Sequence, residues 1–482
     1  MGELFGTDGI RGNAGTWPIT TDFFFKIGLA AGYVLSEGTS NTHILIGRDT
    51  RASGEELQDA LVSGMISSGL SVIDSGVITT PAVSMLIKKQ NISAGAVISA
   101  SHNPVEQNGV KFFNRSGDKL SDSQEEKIES FLFRNNLIES YNRKGRLIDG
   151  HDYSSLYTHS LIEEHPNNFL HGIKILVDCS NGAASALAPE VFRRLGAEIF
   201  SINSNPDGLN INKNCGSEYT RRHPDLISND INKVDASFGI AFDGDADRVV
   251  FVNNLGELID GDHILGLLAG YLSKKGVLLD NSVVATIMRN EGLSIYMESL
   301  GLKLIETPVG DKYVVQALKN IIKNSDGNNK IGLGGEQAGH VILMNQNFTT
   351  GDGIRTALHV MRAFIETGKK SFADFSSLFQ KTPQVISSAY VGGGERFDRE
   401  DLDRMQEQEL SINKELSRLV LRYSGTEPIF RVMIESNYSM AINDLAQISV
   451  KFCMRAQEYA GVPGGKIDIL NCQSGGQIEF MD

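Results

Sequence analysis

The chain has 482 residues, 41% of them apolar and 22% charged, a globular rather than a disordered or fibrous balance, enough for about three or four domains of roughly 100–200 residues. A formal net charge of -14 argues against a nucleic-acid binder, which presents a basic face. No apolar run reaches the about 18 residues of a membrane span, no secretory signal opens the chain, and Cys179, Cys215, Cys453 and Cys472 form no CxxC pair, which predicts a cytoplasmic protein with reduced thiols and no zinc site.

Along the chain, short apolar runs of strand type alternate with helical periods, the pattern of α/β layers. The first are a strand over His43–Gly47, a helix over Gly54–Ser67 and a strand over Ala94–Ser99. That last strand runs into Ser99-Ala-Ser-His-Asn-Pro104. Pro104 breaks regular structure there and leaves Ser101 on a loop at the strand's end. Such a serine can act as a nucleophile or phosphoryl carrier beside His102, although the same residues also suit a turn that caps a helix. A hydrolase serine is not indicated, because there is no G-x-S-x-G elbow. Polar sequence around Ser140–Asp152 predicts a first junction.

A strand over Ile173–Asp178, continuously apolar as in strands buried on both faces, precedes a helix over Ala186–Leu195. Strands follow over Ala236–Phe242 and Val249–Asn253. Between these two lies Asp243-Gly-Asp-Ala-Asp-Arg248, three carboxylates that raise one another's pKa unless a cation offsets them. Oxygen-only ligands suit a hard ion, Mg²⁺ before Zn²⁺. An EF-hand is excluded, since loop positions six and twelve hold Arg248 and Asn254 instead of Gly and Glu. An Asp-rich solvated turn is the plain alternative, and Asp243 as a phosphatase nucleophile is the chemical one.

A second junction is predicted at Leu255–Asp262, then a helix over Asp262–Ser273 and strands over Val283–Ile287 and Ile331–Gly334. Gly334-Gly-Glu-Gln-Ala-Gly-His340 offers an acid, an amide and an imidazole, a set matched to sugar hydroxyls, or else a turn that uses its glycines for φ > 0. It is no dinucleotide fingerprint, because Gln337 stands where GxGxxG needs its last Gly, and there is no GxxxxGK[ST]. Lys370–Pro383 predicts a third connection, into a unit with a strand over Val385–Val391, a turn at Gly392–Gly394, and a strand pair over Arg418–Arg422 and Ile429–Ser436. Between that pair, Arg422-Tyr-Ser-Gly-Thr-Glu-Pro428 with Arg431 forms a phosphate cradle of guanidinium, hydroxyl and backbone N–H groups, or a plain turn. The Gly-rich tail Gly461–Asp482 reads equally as an ordered appendage or a flexible end.

Together the four loops supply a carrier serine, a hard-metal cluster, a hydroxyl reader and a phosphate cradle. Those are the parts of a phosphoryl-transfer site acting on a phosphosugar.

The motifs SASHNP, DGDADR, GGEQAGH and RYSGTEP, in this order and after the opening Leu4-Phe-Gly-Thr-Asp-Gly-Ile-Arg-Gly12, resemble the α-D-phosphohexomutase superfamily over nearly the whole chain. The resemblance implies three similar mixed-sheet α/β domains followed by a smaller α+β C-terminal domain, at 1–155, 156–258, 259–378 and 379–482. It implies that Ser101 carries the phosphoryl group and completes a site for one Mg²⁺ ion with Asp243, Asp245 and Asp247. Arg11, Lys111, His102 and Arg248 would surround the transfer, Lys111 and His102 as acid/base groups. Glu336, Gln337 and His340, with Gly310 and Asp311, would hold the sugar. Arg422, Ser424, Gly425, Thr426 and Arg431 would hold the phosphate that is not transferred. A sugar-1,6-bisphosphate would be the intermediate and priming activator, and the assembly a homodimer.

Within the superfamily, Gly335-Glu-Gln337, Asn214-Cys-Gly-Ser217, Gly310-Asp-Lys-Tyr-Val314 and Thr349-Thr-Gly-Asp-Gly353 resemble the branch that handles glucosamine phosphate; glucose or mannose phosphate is the alternative. Three departures stand out. Ala338 occupies a usual Ser position, Ser217 is followed by Glu218-Tyr-Thr instead of Thr-His-Pro, and the tail beyond Gly461 is longer than the family's. A non-catalytic paralogue is disfavoured because the serine and the aspartates are both present.

Overall fold

The computed structural model describes residues 4–6, 8–36, 42–133, 145–324, 330–369, 371–425 and 427–479. They form four sheets in chain order. The first has six strands, ordered Ile10–Asn13, Gln107–Phe113, Ala94–Ile98, His43–Arg48, Ser71–Val77 and Leu147–Asp149. The second runs Leu258–Ile259, Val249–Asn253, Phe238–Phe242, Lys174–Asp178 and Glu198–Ile202. The third runs Lys303–Thr307, Leu278–Thr286, Ile331–Gly335 and Val341–Met344. All three are mixed: parallel pairs joined by crossover helices, with antiparallel pairing toward one edge. The fourth sheet, Leu416–Tyr423, Ile429–Ser436, Gln384–Tyr390 and Ile467–Asn471, is antiparallel throughout.

Local sequence explains the elements. Ala94–Ile98 and Phe238–Phe242 are buried at every position, as central strands covered by helices on both faces must be. Thr79 accepts a hydrogen bond from the Ala82 N–H and Pro81 occupies the first turn of the helix Thr80–Lys89. Ser121 and Gln124 close a capping box on the helix Asp122–Leu132. The described part of the tail is ordered: Ile467–Asn471 pairs with Gln384–Tyr390 as an edge strand. The junction expected around Ser140–Asp152 falls partly outside the described residues. Its remainder supplies the edge strand Leu147–Asp149 and leads into the helix Tyr153–Glu163, which carries the chain from the first sheet to the second.

One apolar cluster runs through the first three units, from Leu45 and Phe113 through Ile175 and Phe251 to Leu265 and Leu358. The last unit has its own, around Val385, Leu421, Val432 and Leu445. It meets the third unit through polar contacts instead: Asn290 Nδ2 donates to the Thr382 carbonyl (3.0 Å), Gln384 Nε2 and Arg418 Nη1 donate to the Arg289 carbonyl (3.1 and 2.8 Å), and the Glu291 N–H donates to Glu435 (2.7 Å). Among the described residues no helix is long and apolar enough to cross a membrane.

Candidate active site

Each of the four polar loops joins two neighbouring antiparallel strands of its own sheet. The serine loop links Ala94–Ile98 to Gln107–Phe113, and the aspartate loop links Phe238–Phe242 to Val249–Asn253. The glycine-rich loop links Ile331–Gly335 to Val341–Met344, and the arginine loop links Leu416–Tyr423 to Ile429–Ser436. The connections converge on one cavity of about 210 Å³. The first loop gives the wall His102, joined by Arg11, and the second gives Asp247 and Arg248. The third gives Glu336, Gln337 and His340 beside Gly310 and Asp311, and the fourth gives Arg422, Ser424, Gly425 and Arg431. Thr426 lies outside the described residues.

Ser101, Lys111, Asp243 and Asp245 lie behind that wall, nearly inaccessible to solvent. Ser101 sits in a left-handed backbone conformation (φ 53°), costly for a serine unless its surroundings enforce it. They do. Its N–H donates to Ser99 Oγ (2.8 Å), and Ser99 Oγ donates to Asp49 (2.6 Å). Arg51 pairs with Asp49 (3.0 Å) and donates to the carbonyls of Ser101, Asn103 and Gln107 (3.0, 2.8 and 2.9 Å). Asn212 also donates to the Ser101 carbonyl, at 2.8 Å. Gly244 packs so close that a Cβ there would lie 2.5 Å from the same carbonyl oxygen.

Ser101 Oγ donates to Asp243 at 2.7 Å and lies 3.5 Å from His102 Nδ1. The ligand atoms of Asp243, Asp245 and Asp247 all fall within 4.8 Å of one another. Asp245 Oδ1 and Asp247 Oδ1, both buried, carry no hydrogen bond. Burial, reinforced by Asp247 and Asp245, pushes the Asp243 carboxyl well up. A triad of this kind, with unsatisfied inward oxygens and one strained acid, fits a divalent cation bound by oxygen ligands.

The cationic groups are equally engaged. Lys111 Nζ contacts Asp245 (2.9 Å), Asp8 (3.0 Å) and Asp247 (3.6 Å). Burial alone would lower its pKa, but Asp245, Asp8 and Asp247 together hold it raised, as an ammonium. Thr80 Oγ1 donates to the same Asp245 oxygen at 2.6 Å. His340 stands between Asp247 (3.5 Å) and Asp311 (3.6 Å); burial opposes its protonation, yet Asp247 raises it to about 9. His102 goes the other way, held well below its usual value by burial and by Arg248. The backbone N–H of Arg248 donates to Asp243 (3.0 Å). In the arginine loop, burial and the neighbouring Arg431 bring Arg422 down to about 10, and Arg431 pairs with Glu427 at 3.1 Å. Gln337 Nε2 donates to Asp262 (3.0 Å) and Gln384 (2.8 Å), leaving Oε1 without a partner. Glu336 accepts from the Gly310 N–H at 3.2 Å.

Sequence reasoning did not single out several neighbours. Asp8 is shared by Arg11, Lys111 and Lys119, and Lys119 also reaches Asp311 at 2.6 Å, tying the first unit to the third. Asp49 and Arg51 hold the serine loop, and Glu218, Arg221 and Arg222 line the cavity. Of these, only Glu218 carried a signal, as part of the unusual sequence after Ser217.

Comparison with known proteins follows the same division. Phosphoglucomutase/phosphomannomutase α/β/α domain I is matched over residues 2–139, domain II over 155–256 and domain III over 260–382. The phosphoglucosamine mutase of Clostridium novyi (strain NT) is 42% identical over 461 residues, 94% of this chain and 98% of the relative. A phosphoglucomutase/phosphomannomutase family protein from Burkholderia thailandensis superposes with a TM-score of 0.73 at 22% identity, covering 96% of this chain and 98% of that one. The Aspergillus fumigatus N-acetylphosphoglucosamine mutase, solved in complex with GlcNAc-6P and magnesium, gives a TM-score of 0.59 at 16% identity and covers 95% and 96%. These two likenesses speak for the fold.

Proposed function

We propose the function of this chain from one premise: it belongs to the phosphoglucomutase/phosphomannomutase family, on the branch of the phosphoglucosamine mutases. It is an isomerase that interconverts glucosamine-6-phosphate and glucosamine-1-phosphate. The observation that carries the reading is convergence. One hairpin connection from each of four sheets faces a single cavity, with Ser101 Oγ 2.7 Å from the acidic triad at its back.

In this reading Ser101 carries a phosphoryl group. In the first half-reaction its P–Oγ bond breaks as a free sugar hydroxyl attacks, the hydroxyl loses its proton, and Ser101 regains one. The sugar-1,6-bisphosphate then turns round and returns its other phosphoryl group to Ser101, so added bisphosphate primes the enzyme. Asp243, Asp245 and Asp247 would hold one Mg²⁺ ion, which when bound offsets charge on the transferring oxygens. His102, on the cavity wall 3.5 Å from Ser101 Oγ, suits the proton transfer. Lys111, packed among carboxylates, suits charge balance beneath the transferring group better than the acid/base role. Arg11 and Arg248 flank the transferring phosphate. Glu336, His340, Gly310 and Asp311 take the sugar, and Arg422, Ser424, Gly425, Thr426 and Arg431 the distal phosphate.

Gln337 supports an amino sugar. Both partners of its Nε2 are acceptors, which fixes the amide's orientation and leaves Oε1 as an unpaired acceptor for an ammonium donor. The four cysteines are free and buried, consistent with the reducing cytoplasm, and the homodimer belongs to the same proposal.

A substrate panel with Mg²⁺ and a sugar-1,6-bisphosphate tests the reading. The highest kcat/KM is expected for glucosamine-6-phosphate, and a preference for glucose-1-phosphate would sink the sugar assignment. Peptide mapping should find phosphate on Ser101 and none in the Ser101→Ala protein, which should be inactive. An aspartyl-phosphate at Asp243 in an active Ser101→Ala protein would replace the mutase with a phosphatase.

A further inference from the structure

Two of the departures noted in the sequence, the residues after Ser217 and the tail beyond Gly461, meet in space. After Ser217 the chain forms the short helix Gly216–Arg222, whose Glu218, Arg221 and Arg222 line the cavity. Arg221 and Arg222 both pair with Glu218 (3.0 and 3.1 Å), and Arg222 also pairs with Asp468 on the tail strand Ile467–Asn471. Beyond that strand the chain turns through Gly475 and Gly476, both at positive φ (78° and 99°). The N–H groups of Gly476 and Gln477 then donate to the carbonyls of Arg221 (2.9 Å) and Arg222 (3.1 Å). Those carbonyls belong to the helix's last turn, where no N–H donor within the helix reaches them. Gln477 Nε2 returns to Asp468 (2.9 Å), and the Ile478 N–H returns to the Ile469 carbonyl (2.9 Å), closing the loop on itself.

The tail therefore fastens the last unit to the second, separately from the polar seam with the third. A lid held along one seam can swing; held at two edges it cannot, until one is undone. We propose that this tail is a strap that keeps the bisphosphate intermediate in the cavity while it turns round, with Asp468 and the Gly475–Gly476 turn as its fastening and Arg222 as the residue it positions. The inference rests on the mutase reading. A turning intermediate must release both anchoring loops at once, so its retention depends on the walls and not on its own contacts. An intermediate that escapes leaves Ser101 without a phosphoryl group, and that molecule of enzyme idle until free bisphosphate re-primes it.

The test uses three full-fold variants: Asp468→Asn, Gly475→Val and a chain ending at Cys472. A Val side chain at Gly475 would meet Leu258 at 3.2 Å and the Arg221 carbonyl at 3.3 Å, at a φ that β-branched residues avoid. Two quantities are read: sugar-1,6-bisphosphate released per turnover, and the bisphosphate concentration giving half-maximal rate. Both should rise roughly tenfold, the effect of losing about one charge-assisted hydrogen bond, while kcat at saturating bisphosphate stays near wild type. Variants that match wild type in both quantities overturn the strap and leave the mutase intact. A wild-type protein that isomerises no phosphosugar overturns the mutase, and the strap's role with it. Hydrogen exchange reads the fastening apart from activity: faster exchange at Gly216–Arg222 in the shortened chain supports it, and unchanged exchange there overturns it.

Discussion

Removing the ammonium of Lys111 leaves Asp8, Asp245 and Asp247 buried together without a shared counter-charge. Lys111→Met should therefore cost about 3–5 kcal/mol of stability as well as activity, as stripping one partner from a buried ion network does. Urea denaturation measures it, and a loss below about 1 kcal/mol would mean the network matters little to the fold. Far from the cavity, His165 is buried with neither ring nitrogen hydrogen-bonded. Burial, helped by His359 and by Arg362 and Arg355 against the pull of Glu164, pushes it down to about 3. Unfolded, the ring takes its proton near 6.5. Between these values the unfolded chain binds the extra proton, so stability falls as pH drops from about 6.5 toward 3, by at most about 1.4 kcal/mol per pH unit. His165→Gln should flatten that slope in thermal melts; an unchanged slope would assign it to other groups. At this scale the residues proposed to touch ligand were legible and the residues that hold them were not. Ser101, the aspartates and Arg422 announce themselves because their chemistry needs particular side chains in a row. Arg51 does not, because it acts on the backbone carbonyls of residues about fifty positions away, and nothing in Asp49-Thr-Arg51 records that distance.

The four polar loops share one construction, a connection between adjacent antiparallel strands of one sheet. Apolar runs bounded by polar turns made those strands visible, because continuous burial leaves a contiguous imprint. The antiparallel pairing was less visible, since a buried parallel strand and a buried antiparallel one read alike. The tail strand Ile467–Asn471 was undecidable for a related reason: its partner, Gln384–Tyr390, lies about eighty residues earlier, and three of its five positions are only partly buried. Close approach between loops gives a sharp test. Gly244→Ala forces a methyl group against the Ser101 carbonyl, and the serine loop must shift. A displacement of that order should lower kcat roughly 100-fold with only a small change in Tm. A kcat near wild type would show that the loop tolerates the displacement.

Across the whole molecule, one apolar cluster runs through three units and the fourth has its own, joined through hydrogen bonds and ion pairs. Polar seams lose less on separation than apolar ones, because water replaces their partners. Calorimetry should therefore resolve two transitions, the smaller one belonging to residues after about Pro383, and added phosphosugar should bring them together. A single transition with matching calorimetric and van't Hoff enthalpies would make the protein one cooperative body. Evolution reads the same division differently. Ser101 and the acidic triad sit in the fused body, while the arginine loop proposed to grip the distal phosphate rides on the separable one. Substitutions confined to that smaller body would retune the grip on a phosphate that every phosphosugar carries, while substitutions in the glycine-rich loop of the larger body would choose among sugars. Binding strength and sugar choice can then change independently across the seam.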